Sequence, residues 1–560
     1  MRQFRWQLII LGLALIAIAA LLLSQQPAAP QAAGLQPVTG GTYSEALIGS
    51  LGRLNPILDV TNQADRDVNR LLFSGLLRFD DRGVAQPDLA ESWGISADGK
   101  TYNFSLRANA VWHDNAPVTS EDVVFTVDAL RSDASPYPAD VKEMWKQVQV
   151  NVLDAKTLQF RLPEPFAPFL DYLTFGVLPK HLLGGTSVEA MMNAPFNLQP
   201  VGSGPFRFKQ FQEENGQVKG VVLEAFENYY LGRPYLDEVI FRYYADSAAA
   251  LAAYRGKEVL GIGQVDEAIL KDALAEVDLN LYTARMPSLT LVLFNLNDPQ
   301  LPFFQDKNIR RALLMALNRQ RMVDVLKNGQ AIVADGVVFP GTWAYYENTE
   351  RVEYNPEQAL ELIKEAGYTF PAEGDQVRSK EGAAMRFDLV YPDSPQFAAV
   401  AAQIAESWNK LGMNVTPKGV PFDQLVSGYL EPHAFQAALV EFSFMRSPDP
   451  DPYPFWDQAM ISGGQNYAQW DDRAASEYLE KARVTFDYGE RAKLYRNFQV
   501  RFMMELPALP LFYPVYSYGV DGSIQNVRMG PLFDAADRFQ NITGWYLRAR
   551  RPQAAETQAP

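Results

Sequence analysis

The sequence predicts an α/β protein of more than one domain, and three observations carry that reading. A chain of 560 residues, 48% of them hydrophobic, exceeds what one core supports, so two or three domains are expected. Residues 385–391 alternate as a strand, residues 395–411 read as a helix closed by Gly412, and residues 413–420 form a second strand. Strand, helix and strand in that order imply a parallel sheet. Residues 84–162, by contrast, read mostly as short strands joined by tight turns, so hairpins precede the parallel unit.

Taken in order, the chain opens with Arg2 and Arg5 and then an uncharged apolar run over 8–23. An Ala-, Pro- and Gln-rich stretch follows. This is the pattern of an export leader or a retained membrane anchor, and it places the body of the protein outside the cytoplasm. Gly40-Gly41-Thr42-Tyr43 starts a strand and Leu54-Asn55-Pro56 marks a turn. Residues 65–77 have helical spacing and end at the hairpin signal Asp80-Asp81-Arg82-Gly83. Asp98-Gly99 turns one strand into the alternating Tyr102, Phe104 and Leu106. Thr119-Ser120-Glu121-Asp122 opens a helix with a capping box, and Asp154-Ala155 turns another hairpin. Gly202 and Gly204 form an elbow that lacks the Lys-Ser/Thr of a phosphate loop and reads as hinge geometry. Residues 307–327 read as one long amphipathic helix. Asn355-Pro356 caps the next, which Gly367 closes. A strand at 435–444, helices at 473–482 and 488–505 and apolar strands near 509–518 complete the pattern. From residue 548 onward the tail is polar and is expected to be disordered. There is no internal repeat.

Composition excludes several functions. A net charge of −16 argues against a nucleic-acid partner. With no cysteine, disulfides, thiolate metal sites, thiol nucleophiles and a lipid-modified cysteine are all ruled out. His113, His181 and His433 are too scattered to form a metal site, so no cofactor is expected.

Several stretches, in order, resemble one family. Leu89-Ala90-Glu91-Ser92-Trp93, Phe104-Ser105-Leu106-Arg107 and Trp112-His113-Asp114 are similar to its "LAESW…FxLRxxxxFHDG" block, with Asn115 in place of the usual Gly. Pro117-Val118-Thr119-Ser120-Glu121-Asp122-Val123 matches "PxTAEDV", and Pro200-Val201-Gly202-Ser203-Gly204-Pro205-Phe206 matches "PVGTGPY". Ile309-Arg310-Arg311-Ala312-Leu313 through Asn318-Arg319 resembles "VRQAL…AIDR", and residues 355–368 match "DPEKAxxLLxEAGY". The family is that of extracytoplasmic solute-binding proteins of the oligopeptide, dipeptide and nickel type, the binding subunits of ATP-driven importers. The resemblance implies a periplasmic-binding-protein-like fold of two α/β lobes with a hinge and an inserted extra domain. It places the first lobe at 39–60, 200–285 and 505–545, the insert at 61–199 and the second lobe at 286–504. It also implies a monomer that captures a peptide, hands it to membrane permease subunits of an ABC transporter, and performs no chemistry.

Candidate ligand contacts gather in residues 434–457, where an apolar strand breaks into a loop rich in proline, acids and aromatics. The resemblance implies an Asp here that holds the peptide's ammonium group. Counting from the strand start puts Met445 at that position, and counting back from the Pro-aromatic end puts Pro448 there. Asp449 or Asp451 then takes the ammonium role, or the ligand has none, which would suit an oligosaccharide. Phe442, Phe444 and Trp456 are walls of the cleft or plain core. Arg446 pairs with a ligand carboxylate or with Asp449. The resemblance adds Asn62, which alternatively caps a turn, and Asn295 and Trp343. A nickel complex suits the scattered histidines poorly. A different class, a secreted hydrolase using Asp449 and Asp451, lacks any supporting motif.

Overall fold

The apolar residues of the last long strand decide how the sheet is built. Residues 508–521 are buried almost throughout and run 14 residues, long enough to serve both halves of the molecule. The computed structural model describes residues 36–445 and 449–550. Among these, a 12-stranded mixed sheet is formed by β1 (Thr42–Ile48), β2 (Phe206–Glu214), β3 (Gln217–Ala225), β4 (Glu238–Tyr244), β5 (Gly261–Ile262), β6 (Leu279–Arg285), β7 (Ser288–Phe294), β8 (Ala331–Val333), β9 (Arg386–Pro392), β10 (Asn414–Val420), β11 (Ala437–Ser443) and β12 (Ala508–Asp521). The order is β10-β9-β11-β7-β12-β5-β1-β4-β3-β2, with β6 and β8 also on β12. Strand β9, helix Pro395–Asn409 and strand β10 make the parallel unit that the sequence predicts.

β12 is where the two halves join. Its first part pairs with β7, through Ala508 to Phe512, and its later part with β6, through Val515 to Asp521. Between β6 and β7 the chain crosses beside it, and the Met286 N–H donates to the Pro514 carbonyl at 2.9 Å. The cores change at the same place. One apolar cluster runs from Leu289 to Tyr513, and a second holds Ala284, Tyr516 and Tyr518. That second cluster also contains Tyr102, Phe104, Phe160 and Phe169, so the hairpin region after β1 shares a core with β1 to β4. Its own sheet has strands Ala90–Ile95, Thr101–Leu106, Gln149–Val152 and Thr157–Arg161.

Four expectations are corrected. The glycine elbow is not at the hinge. Gly202 and Gly204 let the chain press on the end of helix Gln63–Leu72, where an added Cβ would stand 1.8 Å from the Leu72 carbonyl and 2.3 Å from that of Leu71. The helix over 307–327 is two helices, Lys307–Met315 and Arg319–Leu326. Asn318 breaks them by capping the second, accepting from the Arg321 N–H at 2.9 Å. The apolar strands near 509–518 are one strand, β12. Residues Arg548–Arg550 are not disordered but pair antiparallel with Gln36–Val38. The leader at 8–23 and the tail beyond 550 lie outside the described residues, among which no helix is long and apolar enough to cross a membrane.

Candidate functional site

A cavity of about 750 Å³ lies between the two halves. Such a volume falls within the range of roughly 300–1,000 Å³ typical of small-ligand sites. One wall comes from the end of β11 and the loop after it. Burial fixes that loop: Phe442 stacks on Phe455 with centroids 4.5 Å apart, and Phe444 packs on Phe455 at 4.9 Å and edge-on to Phe339 at 5.1 Å. Ser443, Phe444, Met445, Asp451, Pro454 and Phe455 face the cavity. Asp451 is held by Arg483 at 2.8 Å, and the Arg483 guanidinium lies 3.8 Å over the Tyr453 ring.

Helix Gln63–Leu72 supplies Arg66, Asn69 and Arg70 to the opposite wall, and hairpin strand Leu77–Phe79 supplies Arg78 and Phe79. The short 3-10 helix Ala167–Leu173 adds Asp171 and Tyr172. The halves touch around the cavity. The Asp449 N–H donates to Asp171 Oδ2 at 2.6 Å, the Trp343 N–H donates to the Arg82 carbonyl at 3.0 Å, and Arg483 reaches the Phe166 ring at 5.4 Å. These contacts describe a closed cleft.

Electrostatically the cavity is acidic. Eight aspartates and three arginines line it, and no lysine or histidine does so among the described residues. Burial raises the Asp171 carboxyl well above the usual carboxylate range, and the Asp449 carboxylate facing it adds to the rise. Burial likewise raises Asp88, against the hydrogen bond from the Tyr230 hydroxyl.

Of the sequence candidates, Phe444, Met445 and Asp451 stand on the cavity wall. The side chains of most others are engaged elsewhere. Asn62 caps helix Gln63–Leu72, accepting from the Ala64 N–H at 3.0 Å and donating to the Ser50 carbonyl. Asn295 donates to the His433 carbonyl at 2.9 Å and accepts from Gln469 at 2.7 Å. Phe442 is buried between Phe455 and Trp456. Trp456 itself packs on Phe502 at 4.8 Å inside the core that runs from Leu289 to Tyr513. Trp343 sits under the Arg491 guanidinium, 4.9 Å away. Asp449 is paired through both oxygens with Arg491 at 2.6 and 2.9 Å, and only its backbone reaches across the cleft. Arg446 lies outside the described residues. The two acids of the hydrolytic alternative are therefore each held by an arginine. Sequence reasoning missed Asp171, Asp88 and Arg78. The signal for Asp171 was an acid set among Phe169, Leu170 and Leu173, a charge in an otherwise apolar run.

His113 is buried, accepts from the Gly202 N–H at 3.0 Å and has its other nitrogen 3.2 Å from the Gly204 carbonyl; burial lowers it to about 4. Among the described residues no group of three or more His, Cys, Asp or Glu side chains could hold a metal ion.

Comparison with known proteins gives the chain's relatives. Residues 84–465 match the model of the bacterial extracellular solute-binding proteins, family 5. The oligopeptide-binding protein AppA of Bacillus subtilis is 28% identical over 534 residues, covering 94% of each chain. The dipeptide-binding protein of Escherichia coli is 26% identical over 82% of this chain and 86% of its own. The solved structure of B. subtilis AppA with a nonapeptide superposes with a TM-score of 0.67 at 26% identity, covering 92% of this chain and all of that one.

Proposed function

The chain belongs to the bacterial extracellular solute-binding proteins of family 5, and from that premise we propose that it captures a peptide between its lobes and delivers it to the permease of an ATP-binding-cassette importer. One observation carries the peptide reading: the acidic, aromatic-walled cavity of about 750 Å³, closed by side chains from both halves. The names of the relatives, which speak of oligopeptides and dipeptides, support it.

In this reading 39–60, 200–285 and 505–545 form the first lobe, 61–199 the insert and 286–504 the second. The protein works outside the cytoplasm as a monomer, released or tethered through 8–23. The peptide's ammonium group lies against Asp171 and Asp451, and its side chains against Phe444 and Phe455. A charge-assisted bond of that kind supplies orientation, and burial of the apolar parts supplies most of the affinity. Closure is the mechanism: the ligand bridges walls that separate when β12 and the β6–β7 crossing flex, so it binds the closed form better and shifts the population.

A thermal-shift screen of di- to octapeptides, cello- and xylo-oligosaccharides and nickel chelates tests this. Saturable stabilisation by peptides is expected. Stabilisation by sugars or chelates with none by peptides would replace the reading, and turnover of any of them would remove it.

A further inference from the structure

Six arginines are buried among the described residues. Arg491 and Arg538 pair with carboxylates. Arg310 and Arg319 each spread their guanidinium over three backbone carbonyls. Arg378 donates to two carbonyls and lies over the Phe370 ring. Arg285 differs. It is 5% exposed, its Nη2 is buried without a hydrogen-bond partner, and no carboxylate stands within ion-pair distance of it among the described residues. Its Nε donates to the Pro340 carbonyl at 3.1 Å and its Nη1 to the Met286 carbonyl at 3.3 Å, and the guanidinium lies 4.7 Å over the Phe339 ring. Burial pushes the group down to about 10, which leaves it charged at neutral pH.

Its place in the fold is as unusual as its bonding. Arg285 ends β6, where the chain begins to cross between the halves, and its backbone is tied to the first half: the Leu532 N–H donates to the Arg285 carbonyl at 3.2 Å. What covers its side chain comes from the other half. Phe339 belongs to the core that runs from Leu289 to Tyr513. Four residues further on, Trp343 makes one of the contacts that close the cleft, through its backbone N–H to the Arg82 carbonyl at 3.0 Å. One segment, 339–343, thus caps Arg285 and closes the cleft at the same time.

We propose that Arg285 is an opening spring, a cation dehydrated without a counter-charge when the halves close, which biases the ligand-free protein toward the open form and favours release of the ligand. This deepens the capture reading above, because a protein that delivers its ligand has to reopen. Closure strips water from the guanidinium. The two carbonyls and the Phe339 ring return part of that cost, and Nη2 receives nothing in exchange. When the halves part, segment 339–343 leaves with the second half and water reaches the group again. A ligand that bridges the two walls has to overcome this bias, so it binds more weakly than to a cleft that closes freely.

Fluorescence transfer between dyes on the two lobes of the full chain, without ligand, tests this, and titration with trialanine adds a second reading. In Arg285→Met the closed fraction should rise about three- to tenfold, and since affinity scales with the fraction of the binding-competent form, trialanine should bind more tightly by the same factor. Arg285→Gln keeps an N–H for the Pro340 carbonyl and loses the charge, so it should move the same way. Damage to the fold would lower affinity and melting temperature, whereas here affinity rises and the melting temperature does not fall. Fewer closed molecules in both variants would make Arg285 a strut that holds the closed form, and an unchanged closed fraction in both would mean that opening leaves it covered; either result overturns the inference. Failure of trialanine to bind any of the three proteins counts against the peptide reading, and the ligand-free fluorescence still decides the role of Arg285.

Discussion

Arg538 and Arg491 are both buried in bidentate pairs with an aspartate, one in each half of the molecule. Arg538, beside the core that holds Tyr43, Tyr518 and Phe539, donates to both oxygens of Asp67 at 2.8 Å, to Glu45 Oε1 at 2.6 and 3.1 Å and to the Ala535 carbonyl. Tyr43 and Tyr518 complete Glu45 from the other side at 2.7 and 2.6 Å. Every partner belongs to the same core, so opening the cleft changes nothing there. Arg491, in the second half, holds Asp449 through both oxygens and donates to the Ala482 carbonyl. Behind that pair stands a carboxyl from across the cleft, Asp171, accepting from the Asp449 N–H and lacking a cation within ion-pair distance among the described residues. The same chemistry is a permanent clamp in one place and a junction completed by closure in the other.

Removing the clamp has the largest expected effect. Arg538→Met leaves Glu45 and Asp67 buried without a counter-charge, a change that costs about 3–5 kcal/mol. Urea denaturation of the ligand-free protein should show that loss, with peptide affinity of the folded fraction unchanged. A loss below about 1 kcal/mol would mean that the acids are solvated or protonated at little cost, and the contrast between the two arginines would dissolve.

The next effect concerns binding. Asp451→Asn removes charge from the cavity wall while Arg483 keeps an amide oxygen to donate to. Affinity for a peptide with a free N-terminus should fall about tenfold, or ~1.4 kcal/mol, and affinity for its N-acetylated form should stay within about twofold. Calorimetry checks both. Equal losses for the two peptides would place the ammonium elsewhere.

The sequence made the fold more legible than the site. The parallel unit, the hairpins and the caps at Thr119 and Asn355 rest on local signals, periodicity and side-chain acceptors, and these are the elements observed. The break at Asn318 was legible too, since Asn is a capping residue, but helical spacing continues through it. The site was hidden because its residues come together only in three dimensions. Asp449 and Asp451 stand two apart in one acidic loop, yet one faces Arg491 in the core and the other the cavity. Asp171 and Arg78 lie far from that loop in sequence, and nothing local marks either as part of the same cavity.

The smallest effect sharpens the comparison most, because it isolates the junction. Asp171 is raised in the closed form by burial, with the charges of Asp449 and Asp451 adding and that of Arg491 opposing. In an open form the same carboxyl meets water and titrates near the ordinary value of about 4. The closed form thus binds more protons than the open one. Ligand-free closure is therefore fully favoured below the ordinary carboxylate pKa, and that contribution is lost as pH rises toward the raised value of the closed form. Fluorescence transfer between dyes on the two lobes should report a larger closed fraction at pH 5 than at pH 7.5. Asp171→Asn keeps an oxygen for the Asp449 N–H and removes the charge, so its profile should be flat over this window. A bound ammonium group supplies the missing cation, so the peptide-loaded protein should also close with little pH dependence. Parallel slopes in the wild-type protein and Asp171→Asn would show that the junction carries no uncompensated charge, and Arg491 would then be a clamp of the same kind as Arg538.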